Sequence, residues 1–188
     1  MAFNAYLLFH KDTKIDGEST SEIAAGTGAI ELTDYSFGVS MPVTTSRSDG
    51  GGATVGRANF DVFSCNKNID TSTTDLFLFC CKGTNIPKVE LHVFRQGAGE
   101  EASGVVKYVV VVFKHVVITK VAITGGGEEL PKEALEFNYG ACEYHYHKTE
   151  HDTGKHSPGG NKDSGWSLIT NKQDYSSVNW SAKLSKPS

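Results

Sequence analysis

Four cysteines and seven histidines are the side chains of this sequence best suited to bond chemistry. Cys142 and His145 lie three residues apart, and a thiol beside an imidazole could act as a nucleophilic dyad. On a strand, however, positions i and i+3 point to opposite faces, so this pair cannot bond locally. Cys142 therefore reads as a small buried hydrophobe. Cys80 and Cys81 fall on a predicted helix, where adjacent side chains diverge, and the same reading applies to them. With Cys65 they form no C-x-x-C pair and no disulfide framework. His145 and His147 do share a strand face, with His151 and His156 beyond. Two imidazoles at i, i+2 could ligate one metal, with a loop histidine completing the set. No cysteine or carboxylate stands at ligand spacing beside them, so no metal and no cofactor is expected. Gly50-Gly51-Gly52 lacks the Lys-Ser/Thr of a phosphate-binding loop, and Gly97-x-Gly99 is not followed by a helical pattern. Both read as flexible loops.

The elements that must position these groups belong to one domain. At 188 residues a chain buries a sizeable core without staples. A content of 38% hydrophobic and 21% charged residues excludes disorder. The net charge of -4 lacks the basic balance of a protein that grips phosphate backbones, so no nucleic acid is expected as a partner. The valine-rich stretch 104–123 is interrupted by Lys107, Lys114, His115 and Lys120. A span needs about 20 largely apolar residues, so this is strand material and no membrane insertion is expected. The opening MAFNAYLLFHK has no basic n-region and no adequate apolar h-region, so no conventional export signal is expected.

Glycine clusters separate segments rich in Val, Phe, Tyr and Thr, many alternating with period two, which indicates an antiparallel sandwich or barrel. Over 33–41, Tyr35, Phe37, Val39 and Met41 share one face and Asp34, Ser36, Gly38 and Ser40 the other. Over 88–95, Val89, Leu91 and Val93 oppose Lys88, Glu90 and His92. Residues 109–112 show no polar alternation and predict a strand covered on both faces. Leu135, Phe137 and Tyr139 lie on one face, but Cys142, Tyr144 and Tyr146 continue with the opposite parity, which predicts a bulge or bend at Gly140-Ala141. One segment reads as helical. Ser72 would be its N-cap with Asp75 at N3, Leu76 to Cys81 its apolar body, Lys82 its last turn and Gly83 its C-cap.

The order of these motifs resembles the hemolysin-coregulated protein family, the tube subunits of the bacterial type VI secretion system. The resemblance is carried by MAFNAYLLF with Asp16-Gly17-Glu18-Ser19, by Tyr35-Ser36-Phe37-Gly38-Val39-Ser40, and by Val55-Gly56-Arg57. It continues through Asn68-Ile69-Asp70-Thr71-Ser72, Lys82-Gly83-Thr84-Asn85-Ile86, Glu136-Phe137-Asn138-Tyr139 and Gly165-Trp166-Ser167 with Asn171. Phe37 stands where many relatives carry Trp, residues 10–30 match poorly, and 151–164 is a longer insertion than usual. The resemblance implies a tube domain over 1–172 and a C-terminal tail over 173–188, too short for a separate core.

It further implies a compact antiparallel β-barrel of two sheets with one short flanking helix and no enzymatic activity. Six copies would form a ring, and rings would stack into a hollow tube. The implied partners are sister copies, a VgrG-type spike protein, a contractile sheath and secreted effectors. The subunit would be cytoplasmic before firing and then exported without a cleaved signal peptide. Asp34, Ser36 and Ser40 would face the lumen and its cargo. Arg47, Asp49, Gly50, Gly51, Gly52 and Arg57 would belong to a ring-stacking loop over 43–57. The residues alone leave two other readings open, a monomeric β-barrel for a small ligand and a metal- or cysteine-dependent enzyme.

Overall fold

The computed structural model describes residues 4–44, 54–96, 105–126, 130–150, 155–181 and 183–188. Along the chain run β1 (Asn4–Phe9), a 3-10 turn (Lys11–Thr13), β2 (Ile30–Leu32), β3 (Asp34–Ser36), β4 (Val39–Ser40) and β5 (Val43–Thr44). Then come β6 (Thr54–Val55), β7 (Asn59–Phe60), β8 (Phe63–Asn68), helix α1 (Ser72–Lys82) and β9 (Ile86–Gln96). β10 (Val105–Thr124), β11 (Lys132–Asn138), β12 (Ala141–Thr149), β13 (His156–Ser167) and β14 (Lys172–Gln173) follow. The protein is mainly β, and all its ladders are antiparallel.

Two layers share one long strand. The first sheet runs β2-β1-β9-β10-β12-β13-β14 and the second β10-β11-β8-β3. β10 pairs with β12 as far as Lys114 and with β9 as far as Val116, and with β11 from Val117 onward. His115 takes a left-handed φ of 55° where the strand passes from one sheet to the other, and a β-bulge follows between Ile118 and Lys120. The layers are not closed into the expected barrel. β2 and β3 follow one another through Thr33 instead of pairing, so the sheets meet at corners made by strands that pass between them. The core fills the space between, with Leu7, Phe9, Val89, Leu91, Val111 and Phe113 against Phe63, Leu135 and Phe137. Phe63 and Phe137 stack at 4.4 Å between ring centroids, with Phe113 edge-on to both.

The expected bend at Gly140-Ala141 is present because the hairpin must follow the turn in β10. The Gly140 amide donates to the Lys114 carbonyl at 2.9 Å, and a Cβ on Gly140 would lie 2.8 Å from Ile169 Cδ1. Tyr139 faces the core before the bend and Cys142 after it. The expected strand over 33–41 breaks instead at Phe37-Gly38. There the Asp61 amide donates to the Gly38 carbonyl at 2.9 Å and draws the chain toward β7. β4 pairs with β7 and β5 with β6 to make a two-stranded arm. Val39 and Met41 on that arm are 67% and 48% exposed, not core as the alternation implied.

Helix α1 ends as expected, with Gly83 left-handed at φ 60° and its amide bonded to the Cys80 carbonyl. Its start differs by one position. Thr71 is the N-cap and makes no side-chain cap, while the Asp70 carboxylate accepts the Ser72 amide at 2.9 Å. Fully buried Lys67 reaches Asp70 at 2.8 Å and Glu133 at 3.2 Å and so ties the helix start to the second sheet.

After β14 the chain returns as a strap over the face of the first sheet that points away from the core. Ser176 donates to Glu143 through its amide and hydroxyl. Leu184 sits among Tyr6, Leu8, Ile23 and Phe94. The Lys11 amide donates to the Pro187 carbonyl at 3.1 Å, and Lys186 pairs with Asp16.

Candidate functional site

Asp34 and Ser36 flank Tyr35, whose ring stacks toward Phe37 and Phe63, so both polar side chains project from the outer face of the second sheet. β8 supplies their partners across the ladder. The Asn66 amide donates to both Asp34 oxygens at 2.9 and 3.0 Å, and Ser36 Oγ lies 3.0 Å from Ser64 Oγ. Glu136 of β11 and Lys120 of β10 extend the row as an ion pair at 2.6 Å. Ser64, Asn66, Glu136 and Lys120 were not singled out from the sequence, though Ser64 and Asn66 alternate with Phe63 and Cys65. Ser40 does not join this row. It is exposed on β4, opposite Asn59 in the arm.

Arg47, Asp49, Gly50, Gly51 and Gly52 lie outside the described residues. What is described of that segment is the arm that carries it. The Gly56 amide donates to the Pro42 carbonyl at 2.9 Å. The Arg57 guanidinium donates to the Leu168 carbonyl and braces the arm's root against the turn after β13.

A second feature was not anticipated. The first sheet is wider than the second, so β12 and β13 overhang the core. Phe37, Val39, Phe60, Tyr139, Tyr144 and Trp166 line an apolar groove of about 340 Å³ between arm and overhang. Tyr144 and Trp166 are 42% and 36% exposed there. Among the described residues this is a concave surface whose lining is mostly carbon, the composition of a contact surface.

The histidines and cysteines are placed as the strand geometry demands. Cys142 packs toward the core and His145 points to the opposite face. Burial pushes the Cys142 and Cys65 thiols up to about 12, so neither is a thiolate at neutral pH. His145 lies between Asp163 at 2.8 Å and Glu143 at 3.2 Å. Burial alone would lower its pKa, but the two carboxylates outweigh it and raise it. His147 stacks on His156 at 4.0 Å with the Trp180 ring edge-on. Their Nε2–H groups donate to the carbonyls of Ser157 and Lys107. His151 lies outside the described residues, and among those described no three His, Cys, Asp or Glu side chains gather to hold a metal ion. Among the described residues no helix is long and apolar enough to cross a membrane.

A two-layer β module with an exposed polar row, a standing arm and an uncovered apolar groove is a building block, shaped to meet neighbours. The family model described as type VI secretion system effector, Hcp, matches residues 6–146, and the chain belongs to that family of structural tube proteins. It is a tube subunit. A solved type six secretion system protein is 28% identical, with a TM-score of 0.77 over 92% of this chain and 100% of that one. Hcp1 from Salmonella typhimurium is 20% identical, with a TM-score of 0.68 over 93% of this chain and 100% of that one. A mutant of Hcp1 from the E. coli EAEC 042 pathovar is also 20% identical, with a TM-score of 0.67 over 89% of this chain and 99% of that one. No curated protein matches the chain.

Proposed function

We propose that this subunit closes into six-membered rings that stack into a hollow tube, and that effectors travel in the bore. The observation that carries the ring is the apolar groove between arm and overhang. A monomer would leave Tyr144, Trp166 and Val39 in water, whereas a head-to-tail neighbour would cover them. The arm bearing Arg47, Asp49 and Gly50-Gly51-Gly52 is the contact to the next ring, with Arg57 fixing its root. Asp34 and Ser36 line the bore, and Ser40 lies nearer the ring's rim. Such a lining is polar and small, which suits varied cargo better than a tight apolar pocket. The subunit waits in the cytoplasm for assembly inside a contractile sheath behind a spike, and leaves the cell with its cargo. Its work is geometric and requires no bond chemistry, metal or cofactor.

Light scattering on a sizing column tests the ring at micromolar concentration, and electron microscopy counts its members. The expected result is annular particles about six subunits around, lost to monomer in Trp166→Asp with the circular dichroism spectrum kept. A wild-type chain that stays monomeric would overturn the reading.

A further inference from the structure

The strap does not lie flat on the first sheet. Between it and β9–β10 is a cavity of about 180 Å³, several times the roughly 30 Å³ that a water occupies. Lys88, Glu90, His92 and Lys107 line it from the sheet, and Lys183 and Lys186 from the strap, together with strap serines.

The charge around this cavity is one-sided. Four lysines face one carboxylate side chain among the lining residues, and Glu90 is already engaged. Its Oε2 lies 3.0 Å from His92 Nε2 and its Oε1 3.8 Å from Lys88. Lys186 is paired with Asp16. Lys107 is 2% exposed. It donates to the Asn179 carbonyl at 3.2 Å and lies 5.8 Å from the centre of the Phe94 ring. No carboxylate among the described residues comes within 4.0 Å of it. A buried ammonium held by one carbonyl is a strong attractor of negative charge. His92 adds a second demand. With its Nε2–H given to Glu90, its Nδ1 is a buried acceptor without a hydrogen-bond partner.

We propose that this cavity binds a phosphate-type oxyanion, gripped by Lys88 and Lys107 of the sheet and Lys183 of the strap. Hydrogen phosphate supplies acceptor oxygens for the lysines and one O–H donor for His92 Nδ1, so it meets both demands at once. The occupant would bridge sheet and strap. Binding therefore stabilises the closed strap and, through linkage, the folded chain. Burial lowers Lys107 to about 8, which still leaves it charged at neutral pH.

The test uses the full chain. Thermal unfolding and 31P relaxation are followed while inorganic phosphate, glycerol 3-phosphate, acetate or chloride is added at matched ionic strength. A saturable rise in melting temperature with phosphate, beyond that with chloride or acetate, is expected. The two phosphate arms separate a free ion from the head of an ester, and a response to either upholds the site. Lys107→Met is expected to weaken binding at least about tenfold, and the surface pair Lys88→Ala with Lys183→Ala by a similar factor should Lys107→Met not fold. Two results would overturn the proposal: equal responses to phosphate, acetate and chloride, or affinity unchanged in these variants.

Discussion

The outer faces of the two sheets carry the same alternating pattern and meet opposite fates. On the second sheet, Asp34, Ser36, Ser64, Asn66, Glu136 and Lys120 stand at the surface, and even the Lys120–Glu136 pair is 54% and 32% exposed. On the first, Glu90, His92, Glu143 and His145 occupy equivalent positions opposite core residues, yet the strap roofs them and the Glu143 and His145 side chains are 0% exposed. Exposed pairs are worth about 0–1 kcal/mol. Under a roof each charge must be matched or the fold suffers. Glu143 illustrates the matching. Burial alone would raise its pKa, but hydrogen bonds from His145, Lys114 and Ser176 outweigh it and hold the carboxyl down to about 2. Alternation thus marks which face is polar. Whether polarity costs or contributes is set by what later crosses it.

The sharpest way to break this comparison is to remove one carboxylate from each face. Glu143→Ala leaves His145 with Asp163 alone and Lys114 with Asp174 alone and unties Ser176, and is expected to cost about 2–4 kcal/mol. Asp34→Ala on the exposed row is expected to change stability by no more than about 0.5 kcal/mol. Urea unfolding measures both, and trypsin cleavage at Lys183 reports the strap. Equal losses would mean that the roof does not matter. Next in size is Leu184→Ala, which empties the strap's apolar anchor among Tyr6, Ile23 and Phe94. It is expected to cost about 2–3 kcal/mol and to speed exchange of the Leu184 amide, which is bonded to the Ile23 carbonyl.

What was legible in the sequence was local. Gly83 after the helix, the parity change around Gly140 and the opposition of Cys142 to His145 each follow from backbone geometry over a few residues. The polarity of Asp34 and Ser36 was legible for the same reason. Val39 and Met41 misled because their alternation continues past Gly38, where the chain leaves the sheet for the arm. A period of two records strand conformation and not what lies opposite. Ser72 misled by one step, because Asp70 accepts the Ser72 amide and makes Ser72 the first residue of the helix instead of its cap. Barrel closure was not legible either, since it depends on whether β2 and β3 pair or turn a corner at Thr33. The strap left no periodic trace at all. Residues 174–188 hold on by single carbonyls, one leucine and a few charges, and the roofed character of Glu143 depends on that segment folding back from far along the chain.

A smaller effect is expected from pH. His145 has a raised folded pKa, so its contribution is complete below its ordinary 6.5 and is lost as pH rises through the folded value. Glu143 has a lowered one, so its contribution is complete above 4.5 and is lost as pH falls toward about 2. The strap is therefore held best between those ordinary values and slackens above neutrality. Lys107 works the other way. Burial disfavours its charge, so folding gains as pH rises from about 8 toward 10.5. Comparing wild type with His145→Gln isolates the histidine. The fall in urea midpoint between about pH 5.5 and about pH 8 should flatten in the variant. An unchanged slope would place the pH response elsewhere.

The least effect on stability is expected at Ser36, and that is what makes it informative. Its hydroxyl touches Ser64 across the exposed ladder and nothing in the core depends on it. Ser36→Gln should leave the unfolding midpoint within about 0.5 kcal/mol of wild type. In a ring whose bore is lined by this row, the longer side chain enters the space that cargo occupies at six places at once. Effector retained on purified rings should then fall while ring size and melting are kept. A roofed face is read by stability, whereas an exposed one is read by what it meets. Retention unaffected by the substitution would take Ser36 off the cargo path and leave the row as ordinary solvent-facing polarity.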